Sequence, residues 1–110
     1  MMVAIANGGI IPAALLNQKL KIDFQILKIN FRDQKQQPVH PSPKLLEDIY
    51  FDIKGKTILL VEDRVKTGPT LNYAKSLLQT EAKLVKTFAV NGKADYSLFD
   101  EPCFSFPWLI

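Results

Sequence analysis

Cysteine is nearly missing from this sequence. Cys103 stands alone among 110 residues, so no disulfide can form within the chain, and nothing in the cysteine pattern points to secretion. Histidine is as scarce: His40, between Val39 and Pro41, has no second ligand at useful spacing and reads as a solvated loop imidazole. Long apolar runs are also lacking, none approaching the roughly 20 residues that span a bilayer. The apolar start, residues 1–11, is interrupted by Asn7-Gly8-Gly9 and has no basic lead, which argues against a signal peptide. Nor does one sign of charge dominate. The formal net charge is +3, and the lysines are spread along the chain rather than gathered in a block. That favours a solvated surface over a nucleic-acid face, while a basic cleft for an anionic metabolite stays open. No membrane, no nucleic acid and a cytoplasmic location are therefore the expectations.

What is present suits one compact domain spanning residues 1–110. Hydrophobic residues make up 47% and charged residues 23%, an ordinary globular balance. Residues 1–6 form a short apolar run bounded by Gly8-Gly9, the pattern of a strand buried on both faces. Residues 11–20 are rich in helix formers, with Pro12 suited to a first turn. Residues 24–31 read as a second strand. Residues 32–43 hold three prolines and three glutamines, a long exposed loop of the kind that often serves as a lid. Residues 44–50 suggest a helical turn or two. Residues 57–61 give the clearest strand, an Ile-Leu-Leu-Val core ending in two carboxylates. Residues 70–78 place Leu71, Ala74, Leu77 and Leu78 on one helical face. Residues 84–90 form another strand, and 104–106 a short last one. Strands alternating with helices imply an α/β fold: a mostly parallel twisted sheet flanked by helices, a Rossmann-like three-layer core.

Chemistry concentrates at residues 62–70. In an open parallel sheet, ligands bind at the carboxyl ends of the strands, and Glu62 and Asp63 stand at that end of the clearest strand. Two adjacent carboxylates can accept hydrogen bonds from sugar hydroxyls or hold a magnesium ion through oxygen. Thr67, Gly68 and Thr70 follow, just before a helix. Gly68 frees the backbone to curl, exposed amides favour an anion, and the hydroxyls can donate to phosphate oxygens. The plain alternative is that Thr70 merely caps the helix.

The run Ile58-Leu59-Leu60-Val61-Glu62-Asp63-Arg64-Val65-Lys66-Thr67-Gly68-Pro69-Thr70-Leu71 resembles the phosphoribosyl-pyrophosphate-binding motif of type I phosphoribosyltransferases. Val3-Ala4-Ile5-Ala6-Asn7-Gly8-Gly9-Ile10-Ile11-Pro12-Ala13 resembles the pyrophosphate loop of that family. Phe106-Pro107-Trp108, with Ala94-Asp95-Tyr96 before it, resembles the ending of xanthine-guanine and archaeal hypoxanthine phosphoribosyltransferases. The three segments fall in family order and cover nearly the whole chain.

The resemblance implies a phosphoribosyltransferase-like domain without the family's usual N-terminal helix or hood. Its activity would be transfer of ribose-5-phosphate from phosphoribosyl pyrophosphate to a nitrogenous base, most in keeping with purine salvage, using Mg2+. Catalytic positions would be Glu62, Asp63 and Lys66, with Glu62 and Asp63 also on the metal. Substrate would meet Asn7, Gly8 and Gly9 at its pyrophosphate and Arg64, Val65, Lys66, Thr67, Gly68, Pro69 and Thr70 at its phosphate corner. Lys93 and Phe104 would meet the base. Loop 32–43 would be the mobile flap. Apart from the resemblance, the apolar character of the C-terminus, Trp108 included, suggests packing in a homodimer. Departures stand beside these matches. Asn7 replaces a usual Arg or Lys, Lys66 a frequent Asp, Cys103 the stacking aromatic, and Leu109 a common acid; Asn91 competes with Lys93 for the base. They keep open a second reading, a catalytically degenerate homologue that binds a nucleoside monophosphate or phosphosugar as a regulator. A third is a fragment whose partner chain supplies the hood.

Overall fold

The run that opens the chain becomes β1 (Met2–Ala6), the middle of a six-stranded sheet in the computed structural model, which describes residues 1–30, 44–65 and 68–101. The other elements are α1 (Ile10–Leu20), β2 (Phe24–Asn30), β3 (Lys44–Leu45), β4 (Thr57–Val65), α2 (Pro69–Gln79), β5 (Leu84–Gly92) and β6 (Tyr96–Phe99). Strand order is β3-β2-β1-β4-β5-β6. Every pairing is parallel except β3 on β2, so the sequence expectation of a mostly parallel sheet with helices on its faces holds.

Alternation along the strands builds two cores. Val3, Ile5, Ile58, Leu60 and Val85 face the apolar stripe of α2, where Leu71, Ala74 and Leu78 are buried. Met2, Ala4 and Val61 face α1 through Ala13, with Leu16, Phe24, Leu59 and Phe88 at the margin. The helices therefore cover opposite faces. The chain steps one way from β1 to β2 and the other way from β4 to β5, so the strand order reverses between β1 and β4. A crevice outside the carboxyl ends of those two strands is the place such sheets offer a ligand.

Three expectations change. Residues 44–50 do not form a helical turn: Lys44 and Leu45 pair with Asn30 and Ile29, Leu46 donates its N–H to Lys28 O at 2.9 Å, and Lys28 Nζ meets Glu47 at 3.0 Å. The free edge of β2 supplies main-chain partners that outweigh local helix propensity. The strand expected at 57–61 runs on to Val65, because Glu62, Arg64 and Val65 find partners in Ala89, Asn91 and Gly92 of β5. β6 was not anticipated. The expected strand at 104–106, the loop 32–43 with His40, and Phe31 lie outside the described residues. Among the described residues no helix is long and apolar enough to cross a membrane.

Candidate functional site

At the carboxyl end of β1 the chain turns through Asn7, Gly8 and Gly9 straight into α1. The Ala6–Asn7 peptide is cis. Gly9 donates its N–H to Ile5 O at 2.8 Å and caps the helix through Ala13 N–H, which reaches Gly9 O at 3.0 Å. Both glycines sit at close approach rather than at a special dihedral, and Gly9, set against main chain, is the one the fold requires. A Cβ on Gly9 would strike the Val61 carbonyl and the Ile5 backbone, and one on Gly8 would strike the Asp63 carboxyl. The structure thus lays the Gly8-Gly9 turn against the first acids of the neighbouring strand, joining two segments that lie more than fifty residues apart in sequence.

Glu62 and Asp63 are not beyond the strand but within its last four residues. Glu62 is 8% exposed, and its Oε accepts the Asp63 N–H at 2.9 Å. Asp63 Oδ1 accepts the Arg64 N–H at 2.6 Å. Burial pushes the Glu62 carboxyl well above the usual carboxylate range; the Asp63 charge and a hydrogen bond with that neighbouring carboxyl add to the rise, while the Asp63 N–H opposes it. Adjacent carboxyl groups with one of them reluctant to ionise are suited to a cation or to sugar hydroxyls, since either would replace lost solvation. Among the described residues no group of three or more His, Cys, Asp or Glu lies together.

The corner closes at α2. Gly68 is its N-cap with φ 96°, a conformation that glycine adopts without Cβ penalty, and Asn72 N–H returns to Gly68 O at 2.9 Å. Pro69 follows at the first helical position, where a missing N–H costs nothing. Among the described residues no side chain caps this helix, and Gly68 holds the N-cap place, so the reading of Thr70 as an N-cap is corrected: Thr70 sits inside the first turn. Among the described residues the first-turn amides meet no side-chain cap, and the positive end of the helix dipole lies at the same end.

Asn7, Gly8, Gly9, Glu62, Asp63, Arg64, Val65, Gly68, Pro69 and Thr70 therefore gather along one edge of the sheet, and Lys93, exposed just past β5, stands at that edge too. Lys66, Thr67, Phe104, Cys103 and the Phe106-Pro107-Trp108 ending lie outside the described residues. Two polar clamps near the site were missed. Asp95 Oδ2 accepts both the Thr87 N–H at 2.8 Å and the Thr87 hydroxyl at 3.1 Å, while Asp95 N–H donates to that hydroxyl at 2.9 Å. These bonds, led by the one from the backbone N–H, hold the Asp95 carboxyl below its ordinary value. Asn91, 4% exposed, donates from Nδ2 to Glu101 O and accepts Glu101 N–H on Oδ1, both at 2.8 Å. The available signal was Thr87 and Asn91 themselves, polar residues inside the apolar run of β5.

Comparison with known proteins agrees with this geometry. The phosphoribosyl transferase domain model matches residues 1–106. The chain is similar to a xanthine-guanine phosphoribosyltransferase of Idiomarina loihiensis, 27% identical over 88 residues covering 79% of this chain and 53% of the relative. It is also similar to a hypoxanthine-guanine phosphoribosyltransferase of Lactococcus lactis, 40% identical over 54% of this chain and 37% of the relative. The chain thus spans about half the length, or less, of these curated relatives. Among solved structures, a purine phosphoribosyltransferase of Pyrococcus horikoshii superposes with a TM-score of 0.79 at 26% identity, over 97% of this chain and 74% of that one. With the family model matched over nearly the whole chain and the fold shared with a solved purine phosphoribosyltransferase, the chain belongs to the phosphoribosyl transferase domain family.

Proposed function

We propose that the chain transfers ribose-5-phosphate from phosphoribosyl pyrophosphate to a ring nitrogen of a purine base. The bond from C1 of the ribose to pyrophosphate breaks, a bond from C1 to nitrogen forms, and the base nitrogen gives up its proton. The observation that carries the reading is the contact of Gly8 with Asp63, which puts a main-chain turn fit for pyrophosphate beside a carboxylate fit for ribose. First-turn amides of α2 would take the 5′-phosphate. Glu62 and Asp63 would hold the ribose hydroxyls, and their paired oxygens suit Mg2+, which binds through one or two carboxylates plus substrate and water. When bound, that ion would offset pyrophosphate charge. The protein's own contribution is position and electrostatics, which is most of what such a transfer asks. Lys93 supports the base side through its place at the end of β5. The finer roles of Lys66, Thr67 and Phe104, a cytoplasmic location and a homodimer belong to the same proposal.

Pyrophosphate release should be measured with hypoxanthine, guanine, xanthine, adenine, uracil and orotate, and a purine should give the fastest turnover. Silence with every base from a folded sample would sink the reading. The second reading, binding without turnover, draws on Asn7, an uncharged residue at the pyrophosphate turn. A melting point raised by a nucleoside monophosphate, with no release of pyrophosphate, would favour it.

A further inference from the structure

The glycine turn that the proposed reaction assigns to pyrophosphate carries no positive charge of its own. Asn7, Gly8 and Gly9 offer amides and a carboxamide, whereas the anion brings several negative charges and Asp63, against the turn, adds another. A side-chain counter-charge has to come from a neighbouring element. Strand register names one. Lys28 of β2 stands directly opposite Ala6, the last residue of β1 before the turn. Residues paired in this way point to one face of a sheet, and the face of Ala6 is that of Met2 and Ala4, which α1 covers. The turn climbs to α1 on that same face. Neighbouring strands lie about 4.8 Å apart, a gap that the flexible four-carbon stem of a lysine crosses.

Lys28 is turned outward, toward the β3 side. Its Nζ lies 3.0 Å from Glu47 Oε1, with the two side chains 49% and 57% exposed. Glu47 is brought there by main chain: Ile29 pairs with Leu45, Asn30 with Lys44, and Leu46 N–H donates to Lys28 O at 2.9 Å. The ion pair is therefore not what holds β3. An exposed pair of this kind is worth little and is screened by salt, whereas a diphosphate offers more charge and more acceptor oxygens than one carboxylate. Other cations of this edge are placed less well. Lys44 stands on β3, one strand farther from β1. Arg64 and Lys93 lie on the other side of β1, on β4 and just past β5.

We infer that Lys28 is a further substrate-binding residue: it exchanges Glu47 for the pyrophosphate group and supplies the charge that Asn7 lacks. Glu47 holds the ammonium beside the turn until the anion arrives. The exchange needs only new rotamers of one exposed side chain, a fast and inexpensive motion. This rests on the function proposed above.

The whole chain should be titrated with phosphoribosyl pyrophosphate and with ribose 5-phosphate, two probes that share the sugar phosphate and differ in the pyrophosphate. Lys28→Met keeps the stem and removes the charge. In calorimetry with Mg2+ and no base, it should bind phosphoribosyl pyrophosphate about tenfold more weakly, the loss of one charge-assisted hydrogen bond, and ribose 5-phosphate as before. Glu47→Gln should move the other way, binding phosphoribosyl pyrophosphate up to about fivefold more tightly because a competitor is gone. Lys44→Met, the same charge change one strand away, should leave both affinities nearly as they were. Melting curves check that each variant is folded. Weakening by Glu47→Gln to match Lys28→Met would reveal a structural brace, and equal losses in Lys28→Met and Lys44→Met a diffuse field. Either result would overturn the inference, as would unchanged binding in Lys28→Met. A wild-type chain that binds neither probe would instead bring down the proposed function, and the role of Lys28 with it.

Discussion

The interior of this sheet and its β6 edge are held by different physics. β4 sits between β1 and β5 with Ile58, Leu60 and Val61 out of solvent, and the corner it leads to is made of main chain at close range. β6 has no buried side chain, and a ladder and two clamps that span eight and ten residues tie it to β5 and to the chain beside it. The interior gains its precision from packing, where voids and overlaps are costly; the edge gains it from paired polar atoms. The contrast suits the division of labour proposed for the site. A phosphate group is the same in every substrate, whereas the base differs, and the proposed function would set the stiffer region against the constant part.

The comparison breaks most readily on a pair of leucines. Leu60→Ala, in the buried core, should cost about 2–5 kcal/mol in urea denaturation. Leu98→Ala should stay within about 0.5 kcal/mol. Comparable losses would mean that β6 is packed after all. Next in size is Gly8→Ala. The new Cβ would meet the end of a flexible side chain, Asp63, so stability should barely move. Displacing that carboxylate should still lower guanosine monophosphate affinity about tenfold, roughly one charge-assisted hydrogen bond. Equal affinity by calorimetry would detach Gly8 from the site.

The smallest effect sharpens the comparison through pH. Glu62 is raised above its ordinary 4.5, so the folded state holds that proton more firmly than the unfolded one. Its contribution is full below about 4.5 and is lost as pH rises through the folded value. Asp95 is lowered from 3.8, so its contribution is present above that value and is lost as pH falls through the folded one. Melting curves across pH should show Glu62→Gln flattening the neutral side and Asp95→Asn flattening the acid side. A Glu62→Gln variant with an unchanged slope would show that the carboxyl is not desolvated in solution.

Legibility in the sequence followed the same divide. Strand, acids, glycine and helix of the corner are contiguous from Ile58 to Leu71, so local rules were enough to find them. The Gly8-Gly9 turn could be placed by resemblance, but its contact with Asp63 depends on β1 and β4 being neighbours, which no local pattern encodes. Glu62, Asp63 and Arg64 carry charge and are poor strand formers, yet β5 pairs with β4 as far as Val65. β3 was misread because the free edge of β2, not the segment itself, decides its conformation. Thr87 and Asn91 stood in plain view within β5, but an isolated polar residue does not name its partner. Thr70 was the reverse case, a residue type common at helix starts whose place Gly68 already holds.

A strand with every side chain exposed also sets how the molecule opens. Detaching β6 would break a short ladder and two clamps while leaving both cores covered, so that event costs far less than global unfolding. Backbone amides of residues 96–99 should exchange with solvent through this local route, whereas those of residues 57–62 await opening of the whole sheet. The fold can thus loosen at β6 and close again without disturbing the turn at Gly8-Gly9 or the acids of β4.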